Sequence, residues 1–310
     1  TTTIAPHGMY SHTPTMFRSH GCLGDIREMD VHFGVSGELP FGIGRLDDGK
    51  KVVTMHDAIF VRYPQLYSTT YRWIFTEKVR YACRVADTII AISEQTKRDI
   101  IEFFGADEAK IKVIYQGCNN IFREEVTQEK AERLKEFYQL PSEYIGDVGA
   151  IEPRKNLGRL IEAVKASGTG LTIVAVGGKS RYAEEMAQKA RQLGVKLMML
   201  HGFPFEMMPA IYKGALMSVY PSIFEGFGIP ILEAMCVGTP VLTSTGSCFA
   251  ETGGDAALYA NPYNTEEMAA QIARIANDSA LREKMIESGH RQSLKFTDEN
   301  VAKSLIETII

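Results

Sequence analysis

A chain of 310 residues has room for two domains of ordinary size, each with its own core. Its 45% apolar and 23% charged residues are those of a globular protein, and a net charge of −4 offers no basic field for bulk nucleic-acid binding. The five cysteines (Cys22, Cys83, Cys118, Cys236, Cys248) are scattered, odd in number and form no C-x-x-C, which argues against a disulfide framework and for a reducing cytoplasm. The sequence shows neither a signal-peptide pattern nor an apolar run long enough to span a bilayer.

Apolar strand-like runs alternate with helical patterns, as in an α/β doubly wound fold. Lys51–Met55 reads as a strand, Tyr67–Val85 as a long helix and Asp87–Ile92 as the next strand. Ser93 is placed to cap the following helix and Gly105 to close it. Lys110–Tyr115 is a third strand. Arg123–Tyr138 is charged with no clear apolar strand, and is expected to link two domains, 1–140 and 141–295. A second series follows. Tyr144–Val148 is a strand, weakened by Gly146 and Asp147. Leu157, Leu160, Ile161 and Val164 recur at helical spacing. Leu171–Val176, Val195–Leu200, Leu216–Tyr220 and Thr239–Thr243 read as strands, with a helix over Arg181–Leu193. Ala256–Tyr259 and helices near 266–276, 280–292 and 298–308 complete the chain.

The most informative run is Tyr220-Pro-Ser-Ile-Phe-Glu225-Gly-Phe-Gly-Ile-Pro-Ile-Leu-Glu233-Ala-Met. Glu225 falls in a glycine-flanked loop after a strand. Pro230 suits the first turn of a helix, and Glu233 lies one turn inside it. Two carboxylates and a helix start then address one crevice, and a helix start attracts anions such as phosphate. Spacing alone would equally describe two solvated carboxylates. The strand end, Gly226 and Gly228 favour a ligand site, because open α/β sheets bind ligands at the carboxyl ends of their strands.

Glu152-Pro-Arg154-Lys155-Asn156 also follows a strand and precedes a helix that Asn156 can cap. Arg154 offers a planar fork and Lys155 a point charge for phosphate oxygens; the bland alternative is a solvated basic turn. His56 and Asp57 end the Lys51–Met55 strand, where a histidine can bond a hydroxyl or move a proton; a backbone carbonyl fixing a structural histidine is the competing reading. Ser36 and Glu38, in the loop 34–40, could line the same cleft, although a plain turn competes. His7, His12, His20 and Cys22 lack the spacing of a zinc site, so no metal is expected there. Asp47-Asp48-Gly49 reads as a turn. Gly177-Gly178-Lys179 lacks the rest of a phosphate loop.

The Tyr220–Met235 run and Glu152–Asn156 together resemble glycosyltransferase family 4, retaining enzymes of the GT-B fold, many of them mannosyltransferases. Val53–Asp57, Ala91–Asp99 and Gly254–Ala257 also resemble it. The likeness extends from about Asp30 onward. It implies two Rossmann-like domains facing a central cleft, with the last helix, 296–310, crossing back onto the first. Members open with a strand and a glycine-rich loop, so the chain is expected to start downstream of that segment. The resemblance gives Arg154 and Lys155 to the donor diphosphate, Glu225 with Gly226, Phe227 and Gly228 to the donor sugar, and Glu233 to the ribose. It gives Gly202 and Phe203 to the base, and His56, with Ser36, Glu38 and Asp57, to the acceptor side. It implies a GDP- or UDP-linked sugar as co-substrate, no bound metal, and a glycan or lipid-linked acceptor. Peripheral association with the cytoplasmic membrane face follows from such an acceptor. The expected reaction is hexose transfer to a hydroxyl in polysaccharide or glycolipid synthesis. A nucleotide-sugar epimerase or hydrolase of the same architecture, or a binding protein without catalysis, are the alternatives.

Overall fold

The computed structural model describes residues 29–46 and 49–309. His7, His12, His20, Cys22, Asp47 and Asp48 lie outside the described residues. The chain divides into two compact units, one holding the residues up to Tyr115 together with those from Val301 onward, the other Gln116–Asn300.

The first unit carries β1 (Val31–Gly34), β2 (Lys50–Met55), the short α1 (Ile59–Arg62), α2 (Thr69–Val85), β3 (Thr88–Ala91), α3 (Glu94–Phe104) and β4 (Ile111–Val113). Its strands are all parallel, in the order β1-β2-β3-β4. β2 is buried almost throughout, as expected of a parallel strand covered on both faces. Ser68 and Ser93 accept the backbone N–H three residues on and so start α2 and α3; Gly105 ends α3.

The second unit carries α4 (Gln128–Tyr138), β5 (Tyr144–Val148), α5 (Leu157–Ser167), β6 (Thr172–Val176), α6 (Arg181–Leu193), β7 (Leu197–Leu200), α7 (Met208–Gly214) and β8 (Met217–Tyr220). It continues with α8 (Ile229–Val237), β9 (Val241–Ser244), α9 (Phe249–Gly253), β10 (Ala257–Ala260), α10 (Thr265–Asn277) and α11 (Ser279–Ser293). The last helix, α12 (Asp298–Ile309), begins here and continues into the residues of the first unit. There Val301, Leu305 and Ile309 pack on Val52, Ile90 and Ile114, and Lys50 Nζ donates to the terminal carbonyls of Thr308 and Ile309.

The second sheet is also wholly parallel, in the order β10-β9-β8-β5-β6-β7. The chain lays down β5, β6 and β7 in one direction, then returns to place β8 on the other side of β5. That reversal opens a crevice between the carboxyl ends of β5 and β8. One face of the sheet is closed by Leu157, Leu160, Ile161 and Val164 of α5 with Met268 and Ile272 of α10, against Ile145, Ile173 and Val219.

Two expectations are corrected. The stretch read as a charged linker forms helix α4 within the second unit; Thr127 caps it, and Ala131 and Leu134 suffice to bury one narrow stripe. Asn156 does not cap α5. Its backbone is left-handed (φ 64°), and its amide donates instead to the carbonyls of Pro221 (3.1 Å) and Pro262 (2.8 Å). Gly177 forms the close turn after β6 that a run lacking the rest of a phosphate loop suggests: a Cβ there would stand 2.2 Å from the carbonyl oxygen of Gly149.

Candidate active site

The loops that leave β5 and β8 supply the residues of the crevice. β5 ends at Val148 and leads through Gly149 to a short turn, Pro153–Lys155. β8 ends at Tyr220, and Glu225 follows five residues later. The two loops are stitched together: Ile223 N–H donates to the Arg154 carbonyl (2.9 Å), and Arg154 Nη1 donates to the Phe224 carbonyl (2.7 Å).

Glu225 is 8% exposed and receives both cations on one oxygen. Arg154 Nη1 and Lys155 Nζ lie 2.6 and 2.7 Å from Oε1, and Ser222 Oγ donates to the same atom at 2.5 Å. The Tyr220 hydroxyl also bonds the Glu225 carboxyl, and burial together with that carboxylate keeps the phenol protonated. Burial opposes the charge on Glu225, but Lys155 and Arg154 outweigh it and hold the carboxyl below its usual range. Burial likewise opposes the charge on Arg154, and Glu225 and Glu152 overcome it. Lys155 also donates to Tyr220 OH (2.7 Å), which leaves one of its three N–H groups for a ligand.

The backbone of Glu225 is held from the loop after β9. Ser247, left-handed at φ 49°, accepts from Glu225 N–H (3.1 Å) and donates to its carbonyl (2.9 Å). Behind Glu225, Gly228 (φ 93°) turns the chain into α8, with Pro230 in its first turn. Phe227 packs its ring on Phe296 and is 2% exposed, so any part it plays at the site goes through its backbone. Glu233 lies one turn into α8 and accepts from Tyr212 OH (2.8 Å); burial pushes its carboxyl upward, against the effect of that bond.

Asp147, on β5 itself, is 8% exposed, and its carboxylate accepts no hydrogen bond from any described residue. Burial raises its carboxyl to about 7, opposed by the charge of Lys155. Tyr220, Ser222, Ser247 and Asp147 are the residues that sequence reasoning did not assign to this site. Tyr220 and Ser222 stood inside the informative run, and Asp147 was visible as a charge within an apolar strand. Ser247 carries no sequence signal beyond a Thr-Gly-Ser turn.

Gly202 and Phe203 follow β7, two strands from the crevice. Phe203 lies against Tyr138 of α4, ring centroids 5.0 Å apart, and does not meet Glu225. In the first unit the loops after the neighbouring strands β1 and β2 bring Ser36, Glu38, His56 and Asp57 to one end of the sheet. Gly34 allows this, because a Cβ there would lie 2.2 Å from the Glu38 carbonyl oxygen. His56 Nε2 donates to the Val35 carbonyl (2.8 Å), which fixes the ring. Glu38 is paired with the buried Lys78 (2.6 Å), and Asp57 accepts from Ile59 N–H.

Residues 128–292, which contain the whole of the β5–β8 site, match the family model of glycosyl transferases group 1. The chain belongs to that family. Residues 31–120 of this glycosyltransferase match a second model, glycosyltransferase family 4. Among curated proteins it is 26% identical over 295 residues to O-antigen chain mannosyltransferase B of Escherichia coli, covering 93% of this chain and 76% of that protein. It is 31% identical over 227 residues to O-antigen chain mannosyltransferase RfbU of Salmonella typhimurium, covering 73% of this chain. The glycosyltransferase spans 60% of the length of RfbU and 33% of the Escherichia coli mannosyltransferase WbdA. Its fold is similar to that of Anabaena Alr3699/HepE solved with UDP (TM-score 0.73, 21% identity, 84% of this chain and 72% of that one). It is also similar to WaaG, a glycosyltransferase involved in lipopolysaccharide biosynthesis (TM-score 0.71, 17% identity, 91% and 78%). The fold class is thus that of the GT-B glycosyltransferases, two parallel-sheet α/β units. No helix among the described residues is long and apolar enough to cross a membrane.

Proposed function

We propose that this glycosyltransferase moves a hexose, with retention, from a nucleotide sugar to a hydroxyl of a polysaccharide or glycolipid, and that the hexose is mannose carried on GDP. The observation that carries the reading is the gathering of Arg154, Lys155 and Glu225 at the sheet reversal. Phosphate oxygens of a donor would compete with Glu225 for the two cations. Glu225, released from them, would accept from hydroxyls of the sugar. As the glycosidic bond breaks, the leaving diphosphate gains charge, and Arg154, Lys155 and the start of α8 are suited to stabilise it. A diphosphate oxygen then takes the acceptor proton, so no covalent nucleophile and no metal is assigned. Retention rests on the resemblance to family 4, and mannose on the curated relatives, which are O-antigen chain mannosyltransferases. Glu233 is assigned to the ribose, Gly202 and Phe203 to the base, and His56, Ser36, Glu38 and Asp57 to the acceptor.

Lys155→Ala should lower turnover by two or more orders of magnitude while the protein keeps its melting temperature, the scale seen when a donor to a developing oxyanion is removed. Near-normal turnover in that variant would remove the assignment. GDP should raise the melting temperature more than UDP at equal concentration, by preferential binding to the folded state. Equal shifts would reject the guanine preference. A chelator should leave turnover unchanged.

Attachment to the cytoplasmic membrane face is proposed for the first unit. Tyr71, Trp73 and Ile74 are exposed at the start of α2, Trp73 at 68%, with Arg72, Arg80 and Arg84 on the same helix. Aromatic and basic side chains side by side suit an anionic lipid interface.

A further inference from the structure

The second unit holds a cysteine pair that the proposed reaction does not use. Cys118 lies in the segment leading into the short turn Asn120–Phe122, three residues after the first unit ends at Tyr115. Cys236 lies on α8, three residues beyond Glu233 and so one turn further along the same helix. Their sulfurs are 3.4 Å apart, although 118 residues separate them in sequence. A disulfide needs about 2.05 Å between sulfurs, an approach of roughly 1.4 Å. Cys118 is buried and Cys236 only half-buried.

The two thiols are unequal. The hydrogen bond with Cys118 lowers the Cys236 thiol; burial opposes this, and the Arg123 charge supports it. The same bond, with burial, raises Cys118. Cys83 is pushed up to about 12 by burial, and burial also raises Cys248. Cys236, the less buried member of the pair, is the sulfur an external disulfide can reach first.

We propose that Cys118 and Cys236 are a reactive dithiol that a low-molecular-weight disulfide such as oxidised glutathione closes into an intramolecular bridge. The Cys236 thiolate attacks one sulfur of the glutathione disulfide, and a glutathione thiolate leaves. Cys118 then loses its proton to solvent and attacks the Cys236 sulfur of the mixed disulfide, which expels the second glutathione. The protein is oxidised by two electrons, and one glutathione disulfide becomes two thiols. The bridge ties the leading segment of the second unit to the helix that bears Glu233. This inference is independent of the sugar and nucleotide assigned above.

The test uses the whole chain carrying Cys22→Ser, which leaves the four cysteines the structure describes. The native protein is incubated with oxidised glutathione, alkylated and weighed by mass spectrometry. Alkylated after unfolding, the treated protein should take up two alkyl groups fewer than the untreated control, and a proteolytic digest should contain one cross-linked peptide joining positions 118 and 236. The bridged protein should also melt several degrees higher, because the link closes a long loop in the unfolded chain. Cys118→Ser should stop at a single glutathione adduct on Cys236, and Cys236→Ser should leave all its thiols alkylatable. Retention of all four thiols, a bridge to any other cysteine, or an unchanged course in Cys118→Ser would overturn the proposal. The digest of the protein with both cysteines intact decides the matter even if a variant fails to fold.

Discussion

Asp147 should make the stability of the second unit fall as pH rises, and Asp147→Asn should abolish that dependence. The carboxyl sits in β5 without a hydrogen-bond donor, and burial raises it from 3.8 to about 7. A raised acid binds its proton more tightly in the folded state, so its favourable contribution is complete below about pH 3.8 and is lost as pH climbs through 7. Each pH unit between those values costs about 1.4 kcal/mol, on the order of 4 kcal/mol in all. About 2.5 kcal/mol of that falls between pH 5 and 7.5. An asparagine of the same shape carries no such charge. Urea unfolding of both proteins at half-unit steps over that range isolates the effect, because every other titrating group is common to the two. The difference between the curves should grow with pH in favour of the variant. Parallel curves would show that Asp147 ionises in the fold as it does in water, which refutes the argument from its burial.

Glu225→Gln keeps the shape of the side chain but removes the anion shared by Arg154 and Lys155. Inorganic pyrophosphate should then bind about ten-fold more tightly by calorimetry, while sugar transfer falls by at least that factor, the scale of one charge-assisted bond. Unchanged pyrophosphate affinity would mean that Glu225 does not restrain the two cations. Trp73→Ala, at an exposed position, should leave transfer to a soluble acceptor intact and lower co-sedimentation with vesicles containing anionic phospholipid several-fold. Equal sedimentation of the two proteins would exclude α2 as the attachment face.

Much of this molecule was legible because its strands are buried on both faces and so stand out as apolar runs bounded by glycine or proline. β5, β6, β8 and β9 lie within a few residues of where the sequence puts them, and α6 matches to the residue. β1 escaped notice. Its four residues, Val31–Gly34, hold only two large apolar side chains, and pairing with β2 defines it. α4 escaped because a helix on the surface of a unit needs only a narrow apolar stripe, and Ala131 with Leu134 looks like nothing among seven charged or amide side chains. At the site, the spacing of Glu225 and the Arg154-Lys155 pair was enough to single them out. What they touch was not legible, since those contacts join loops 65 to 70 residues apart. Asn156 shows the limit of local rules. Its residue type suits a cap, but its left-handed backbone turns the amide toward two proline carbonyls on other loops.

The order β10-β9-β8-β5-β6-β7 also has a temporal meaning. β5, β6 and β7 can pair as each emerges, because each joins its predecessor through one helix. The cations on the β5 loop are therefore in place early, facing solvent. Their counter-ion cannot arrive until the chain has made β7 and α7 and doubled back to lay β8 along the free edge of β5. That pairing spans some seventy residues and carries the larger loop-closure cost. A chain interrupted before it would be a half-sheet with an exposed edge and an unbalanced positive loop. The pairing that brings β8 back to β5 and the birth of the anion site are thus the same event.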